Sequence, residues 1–395
     1  MVLKKISGVS LRGKKVLLRL DLNSALYKGK VLMNPRIKAH AKTVEWLSKK
    51  GAKIIILAHQ GRKKGKDYLE KLNQHAKLLS KFSGIKINYV NDLFGALAKK
   101  KIASLKNGEV ILLKNVRAYE DEINLNLKKN KFIEFSRHFD LYVNDAFSVC
   151  HRNQASIVIP PQFLPHYAGP VLYKEINFLE KFISKSKTNL LISLGGEKVS
   201  DYVPILKTFG KTKSNFILGG VLANLFLEEK GVDFGYESKW LKKNNYGKNF
   251  SDLKKDVSIR KLNLVPPQDF AIDENGRKEI LISELPVNKK IMDIGAKTIY
   301  EFKKEIKKAK IILVKGPMGF SEIPGFEKGT VELLKEIAKR TKEKKLYSLI
   351  GGGHSTTTIE KHGLKGFSHV SLSGGALIKY LCGGNLPGIE VLKKK

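Results

Sequence analysis

Cysteine is nearly absent. Cys150 and Cys382 are the only two in 395 residues, too few for a disulfide framework and without a paired-cysteine metal signature. A reducing, cytoplasmic setting is therefore expected. No apolar run approaches the ~18–20 residues that a membrane-spanning helix needs. The opening residues, MVLKKISGVSL, carry lysines but no continuous apolar core behind them, so no signal peptide is expected. Acidic residues are scarce too: 37 Asp and Glu stand against 74 Lys and Arg, a net charge of +37. Such a field attracts polyanions, from nucleotides and phosphorylated metabolites to nucleic acids and anionic membranes. The lysines are nevertheless spread over the whole length, in pairs such as Lys63-Lys64 and Lys242-Lys243. There is no basic arm and no zinc-finger, RNA-recognition or helix-turn-helix signature. The charge reads as solvated helix faces, and neither a specific nucleic-acid partner nor a membrane partner is expected.

What is present is a repeated alternation of short apolar runs and helical patterns, over a length that suggests two or three domains. In the first half VLLRLDLN (Val16 to Asn23) ends in Asp21 and Asn23, and a turn with Gly29 leads to a helix opening at Arg36. KIIILAHQGR (Lys53 to Arg62) reads as a central parallel strand ending in His59, Gly61 and Arg62. A helix is expected over Tyr68 to Phe82. VILLKNVR ends in Arg117, and LYVNDAF ends in Asn144 and Asp145 with His151 and Arg152 just beyond. Alternating strands and helices predict a doubly wound parallel sheet, whose ligands bind beyond the carboxyl ends of the strands. Arginine grips carboxylate and phosphate bidentately. The cluster Arg36, Arg62, Arg117, Arg152, His59 and His151 thus suits a small acid that also carries a phosphate.

After Pro160, Pro161 and Pro165, an amphipathic helix over Pro170 to Lys185 leads to the stretch that organises the chain, NLLISLGGEKVSDYVP (Asn189 to Pro204). An apolar strand, the turn Gly195-Gly196 and a helix start at Lys198 together make an anion site. Glycines follow apolar runs again at Gly219-Gly220, Gly351 to Gly353 and Gly374-Gly375. The third case, SLIGGGHSTTT, can wrap phosphate with backbone N–H groups and hydroxyls, although it is not a Walker loop. Gly316, Pro317 and Gly319 end a further strand, and Glu322 could hold a ribose hydroxyl. The second half thus reads as nucleotide-binding and the first as acid-binding, a phosphoryl-transfer layout.

In their order and spacing, RLDLN, NPRIKAHAKT, AHQGR, LKNVRAY, YVNDAFSVCHR, GGEKVSD, DIGAKT, KGPMGFSE, IGGGHSTTT, HVSLSGGAL and NLPGIEVL resemble the phosphoglycerate kinase family over nearly the whole chain. AHQGR, IGGGH and the single lysine of GGEKVSDY are most similar to its archaeal branch. The resemblance implies the reaction MgATP + 3-phosphoglycerate ⇌ MgADP + 1,3-bisphosphoglycerate, with magnesium entering on the nucleotide. It implies two Rossmann-like, doubly wound parallel-sheet domains joined by a helical hinge that closes over the reactants. The expected boundaries are 1–170 with 380–395 for the acid domain, 171–187 for the hinge and 188–379 for the nucleotide domain. By the same resemblance Asp21, Asn23, Arg36, His59, Arg62, Arg117 and Arg152 form the phosphoglycerate site, and Arg36 and Lys198 stabilise the phosphoryl group in flight. Gly195, Gly196, Lys198, Gly219, Gly220, Pro317, Glu322, Gly351, Gly352, Gly353, His354 and Ser355 fall in the nucleotide site.

The chain departs from the family pattern at several positions. His354 replaces an aspartate that serves magnesium in bacterial and eukaryotic members, so no protein ligand to the metal is assigned, Asp201 being a candidate. Tyr202 stands where many relatives carry a second lysine, and Lys114 replaces a glutamate. Leu372-Ser373 replaces Thr-Gly. Lys315 replaces an asparagine before Gly-Pro and could contact phosphate. A monomer is expected, with a dimer as the alternative. The competing functional readings are a non-catalytic nucleotide-binding relative and a basic nucleic-acid-binding protein.

Overall fold

Short apolar runs become strands buried along their length. KIIIL forms Lys53–Leu57 and LLISL forms Leu190–Leu194, the latter buried at every residue. Strands with no polar face must be covered on both sides, which favours parallel pairing with helices packed above and below. The computed structural model describes residues 3–126, 128–186, 189–247, 250 and 262–393. The expected hinge terminus, Lys187, lies outside them. The chain divides into two compact units, one of residues 1–177 with 384–395 and one of 178–383. Helix Pro170–Lys185 carries the chain from the first to the second.

In the first unit six strands form one sheet in the order Ile87–Tyr89, Val110–Leu112, Lys53–Leu57, Lys15–Arg19, Leu141–Asn144 and His166–Ala168, every neighbour parallel. The order reverses direction between Lys15–Arg19 and Leu141–Asn144. That switch point is where a doubly wound sheet opens a crevice at its carboxyl edge. Helix Pro35–Lys49 buries Ile37, Ala41, Val44 and Leu47 against the sheet. Residues after 384 belong here as well: the Gly388 N–H donates to the Cys150 carbonyl at 2.9 Å, and Ile389 and Leu392 are buried.

The helix expected from Tyr68 begins only at Asn73 and runs to Ser83. Side-chain amides hold the preceding segment in a loop instead. Gln60 Nε2 donates to the Asp67 carbonyl at 2.9 Å, and Asn115 Nδ2 donates to the Leu69 carbonyl at 2.7 Å. Carbonyls satisfied in this way no longer need a helical turn.

The second unit repeats the plan with Asn263–Val265, Asn215–Leu218, Leu190–Leu194, Ile311–Lys315, Tyr347–Gly351 and His369–Val370, again all parallel. Its switch point lies between Leu190–Leu194 and Ile311–Lys315. It also carries an antiparallel three-stranded sheet of Arg277–Leu281, Asp269–Asp273 and Ile291–Ile294, which the periodicity reading did not anticipate. The signal was available in the turn Glu274-Asn275-Gly276, where Asn275 and Gly276 take positive φ, as a hairpin requires.

Candidate active site

The carboxyl edge of the first sheet is built around Asp21, which is almost fully buried. The Asn23 N–H donates to Asp21 Oδ1 at 3.1 Å, and the Ser148 hydroxyl donates to Oδ2. Arg36 Nη1 lies 3.4 Å from Oδ2, and His59 Nδ1 lies 4.0 Å from Oδ1. Burial alone would raise the Asp21 carboxyl. Arg36, the His59 ring and the two hydrogen bonds outweigh it and hold the group well below the usual carboxylate range. His59 is driven the other way for a base: burial depresses it, Arg19, Arg117 and Arg152 add to this, and the opposing pull of Asp21 is insufficient.

Local structure places Arg36 with care. Asn34 caps helix Pro35–Lys49 by accepting from the Ile37 N–H at 3.1 Å, while its amide donates to Ser24 Oγ at 2.7 Å and to the Asn23 carbonyl at 3.2 Å. Arg36 is thus fixed in the first turn of a helix tied to the strand end that bears Asp21. Asn23 Oδ1 accepts from the Gly61 N–H at 2.8 Å, so this oxygen braces two strand ends.

Arg117 and Arg152 are the telling pair. Arg117 Nη1 donates to the Gly61 carbonyl, but its Nη2 is buried with no hydrogen-bond partner among the described residues, as is Arg152 Nε. Leaving a buried donor unpaired costs about 1–3 kcal/mol, more when it is charged. Burial and the nearby Arg152 and Arg19 push Arg117 down to about 10. Crowded guanidinium groups with unspent donors match an anionic ligand. Arg62, by contrast, is exposed and adds charge at the rim.

Two features here escaped the sequence reading. Arg19, fully buried, donates through Nε to Ser156 Oγ at 2.9 Å, and the Ser156 hydroxyl donates to Glu122 Oε1 at 2.9 Å. Asp145 accepts from Thr43 Oγ1 at 2.7 Å and from the Val171 and Leu172 N–H groups at 2.7 and 3.1 Å, with His40 Nδ1 at 3.1 Å. It therefore ties the start of helix Pro170–Lys185 to the helix that carries Arg36. A lone arginine inside VLLRL was the one available hint of the first network.

The second sheet's edge is made mainly of backbone. Gly195 and Gly220 do not merely leave room for a ligand. A Cβ on Gly195 would lie 2.1 Å from the Pro317 carbonyl oxygen, and one on Gly220 would lie 2.6 Å from the Gly196 nitrogen. The turns are pressed together, with Gly195 N–H donating to Lys315 O at 3.0 Å and Gly220 N–H to Met318 O at 2.9 Å. Gly219, Pro317 and Gly351 are buried in this floor. Gly353 is different: it is exposed and a Cβ there would meet open space. Among the described residues neither helix Gly220–Glu229 nor helix Gly353–Lys361 has a side-chain cap. The Gly220 and Val221 N–H groups are taken by the Met318 and Gly196 carbonyls, so it is the start of helix Gly353–Lys361 that offers first-turn N–H groups to an anion.

Lys198 precedes the short 3-10 turn Val199–Asp201 rather than opening an α-helix, which starts at Val203. It is exposed. Lys315 is 9 % exposed and 3.9 Å from Asp201 Oδ2; burial lowers it, Asp201 pulls the other way and Lys198 lowers it further. Glu322 and His354 are exposed and hydrogen-bonded to each other through His354 Nδ1. Ser355 is fully buried and its hydroxyl makes no hydrogen bond among the described residues, so it is not brought to the open face. Tyr202 donates its hydroxyl to the Gly195 carbonyl and packs into the floor. Lys114 is paired with Glu70 at 2.5 Å.

The chain is similar to known proteins over nearly its whole length. The family profile described as Phosphoglycerate kinase matches residues 6–384. The chain is 37 % identical over 392 residues to a phosphoglycerate kinase of Methanopyrus kandleri, covering 96 % of this chain and 94 % of that one. It is 36 % identical to one of Methanothermus fervidus, covering 97 % and 95 %. The crystal structure of phosphoglycerate kinase from Pyrococcus horikoshii superposes with a TM-score of 0.90 at 32 % identity, covering 98 % of both chains. The structure of phosphoglycerate kinase from Coxiella burnetii gives 0.78 at 29 %, covering 99 % of both. With two doubly wound parallel sheets, a polar acid-type edge on one and a glycine edge on the other, the chain belongs to the phosphoglycerate kinase family.

Proposed function

We propose that the protein transfers a phosphoryl group reversibly between ATP and the carboxylate of 3-phosphoglycerate, giving ADP and 1,3-bisphosphoglycerate, in glycolysis and gluconeogenesis. The observation that carries this reading is the pair of unspent buried donors on Arg117 and Arg152. A non-catalytic nucleotide binder has no need of them. In this reading Asp21, Asn23, His59, Arg62, Arg117 and Arg152 hold the acid. Arg36 meets the reacting carboxylate and neutralises charge as the phosphoryl group arrives. Lys198, exposed and at the end of strand Leu190–Leu194, follows the group in flight. No protein nucleophile is required, because positioning and electrostatics suffice for this chemistry. Gly353 and the uncapped N–H groups of helix Gly353–Lys361 receive phosphate, with Glu322 and His354 at the rim. Closure of the units about helix Pro170–Lys185 would exclude water from the transfer.

The residues present fit magnesium carried in on the nucleotide. Asp201, its carboxylate 44 % exposed, would offer one oxygen, and the bound ion would draw charge off the phosphates. Cytoplasmic location and a monomeric state belong to the same proposal, which a soluble glycolytic role supports. No described helix is long and apolar enough to cross a membrane.

Incubation of the purified protein with magnesium, ATP and 3-phosphoglycerate, with the acyl phosphate trapped by hydroxylamine, tests the reaction. Hydroxamate formation dependent on both substrates is expected. A folded protein that binds ADP yet yields none would instead be the non-catalytic relative.

A further inference from the structure

Lys315 occupies an unusual place for an ammonium group. It ends strand Ile311–Lys315 and is in register with Leu194 on one side and Gly351 on the other, so it stands at the centre of the second sheet's carboxyl edge. Its side chain runs over Gly352: a Cβ there would lie 3.5 Å from both Lys315 Cδ and Nζ. Gly352 is the residue before helix Gly353–Lys361, whose first turn has no side-chain cap. The ammonium and the positive end of a helix therefore share one spot. Lys198 adds a third positive group nearby. Against them stands one described carboxylate, Asp201, at 3.9 Å and beyond hydrogen-bond reach. Among the described residues the Lys315 ammonium makes no hydrogen bond, although the residue is 9 % exposed. The stem is buried while the ammonium reaches the open edge, where it gives up most of its hydration and gains only the distant Asp201 in exchange.

We propose that Lys315 is a second phosphate-binding cation of the nucleotide site, conferring preference for nucleotides with two or more phosphates. The inference rests on the nucleotide reading of this edge and deepens it. Tyr202 occupies the floor with its hydroxyl on Gly195, so the second charge reaches the site from the neighbouring strand rather than from the turn that carries Lys198. Phosphate oxygens would give the ammonium the acceptors that the protein does not provide. The uncapped N–H groups would share the same oxygens.

Titration calorimetry with ADP and with adenosine separates the contributions. Lys315→Met keeps the length and packing of the stem, and Lys315→Gln is a milder change run in parallel. Loss of a charge-assisted contact should weaken ADP binding about 10- to 100-fold, leave adenosine within about twofold, and be partly rescued by Lys315→Arg. The proposal falls if either folded variant binds ADP like the parent, or if adenosine weakens as much as ADP. A parent that binds no nucleotide would instead overturn the nucleotide reading itself.

Discussion

Both sheets have six parallel strands, yet their strand orders differ and their carboxyl edges are built differently. In the first unit the work falls to buried side chains: Asp21, His59, Arg117 and Arg19 are 5 % exposed or less, and each is oriented by another side chain or a strand-end carbonyl. In the second unit the floor is backbone packed on backbone, and Lys198, Glu322 and His354 are exposed. A small acid with charge at both ends is recognised by a rigid, prearranged set of forks. A nucleotide's phosphates, common to many ligands, are met by N–H groups and point charges. Recognition and turnover should therefore be separable by mutation.

Lys198→Ala offers the largest break. It should lower kcat about 10²–10³-fold, the usual loss for one group stabilising transferring charge, while KM for either substrate changes little. Steady-state kinetics with both substrates varied decides this. A comparable rise in KM would make Lys198 a binding residue, and the contrast between the edges would weaken. Asp145→Ala probes the opposite character. It strips the acceptor from Thr43, His40 and two helix N–H groups, and should cost about 3 kcal/mol of stability. Urea unfolding would show it, and a loss under about 1 kcal/mol would mean that this network is not structural.

Acid sharpens the comparison more gently. His75 is buried beside Gln60, and burial lowers it to about 4, against an ordinary value near 6.5. The folded state then binds fewer protons than the unfolded chain, so stability is complete above pH 6.5 and declines as pH falls towards 4. Each such histidine contributes a slope of up to about 1.4 kcal/mol per pH unit within that window. His59 acts in the same direction. Denaturant midpoints at pH 7, 6 and 5 should fall in the parent and fall less in His75→Gln. Identical slopes would show that His75 is already charged in the folded protein.

The motif order made the fold legible, because most of the motifs sit where a strand ends. The roles of the glycines were less visible. Gly195 and Gly220 permit one turn to lie on another, a contact between segments far apart in sequence that no local spacing reports. The same reason hid Arg19, Ser156 and Glu122, separated by up to 137 residues in the chain. The loop before Asn73 has helical composition, and the amides of Gln60 and Asn115 override it.

The most direct test of the contrast is equilibrium titration of Arg117→Met with 3-phosphoglycerate and, separately, with MgADP. Removing a buried fork from the first unit should weaken the acid about 10- to 100-fold and leave the nucleotide within about twofold. Unchanged binding of the acid, or equal loss for both ligands, would contradict the assignment of the acid to the arginine-lined edge.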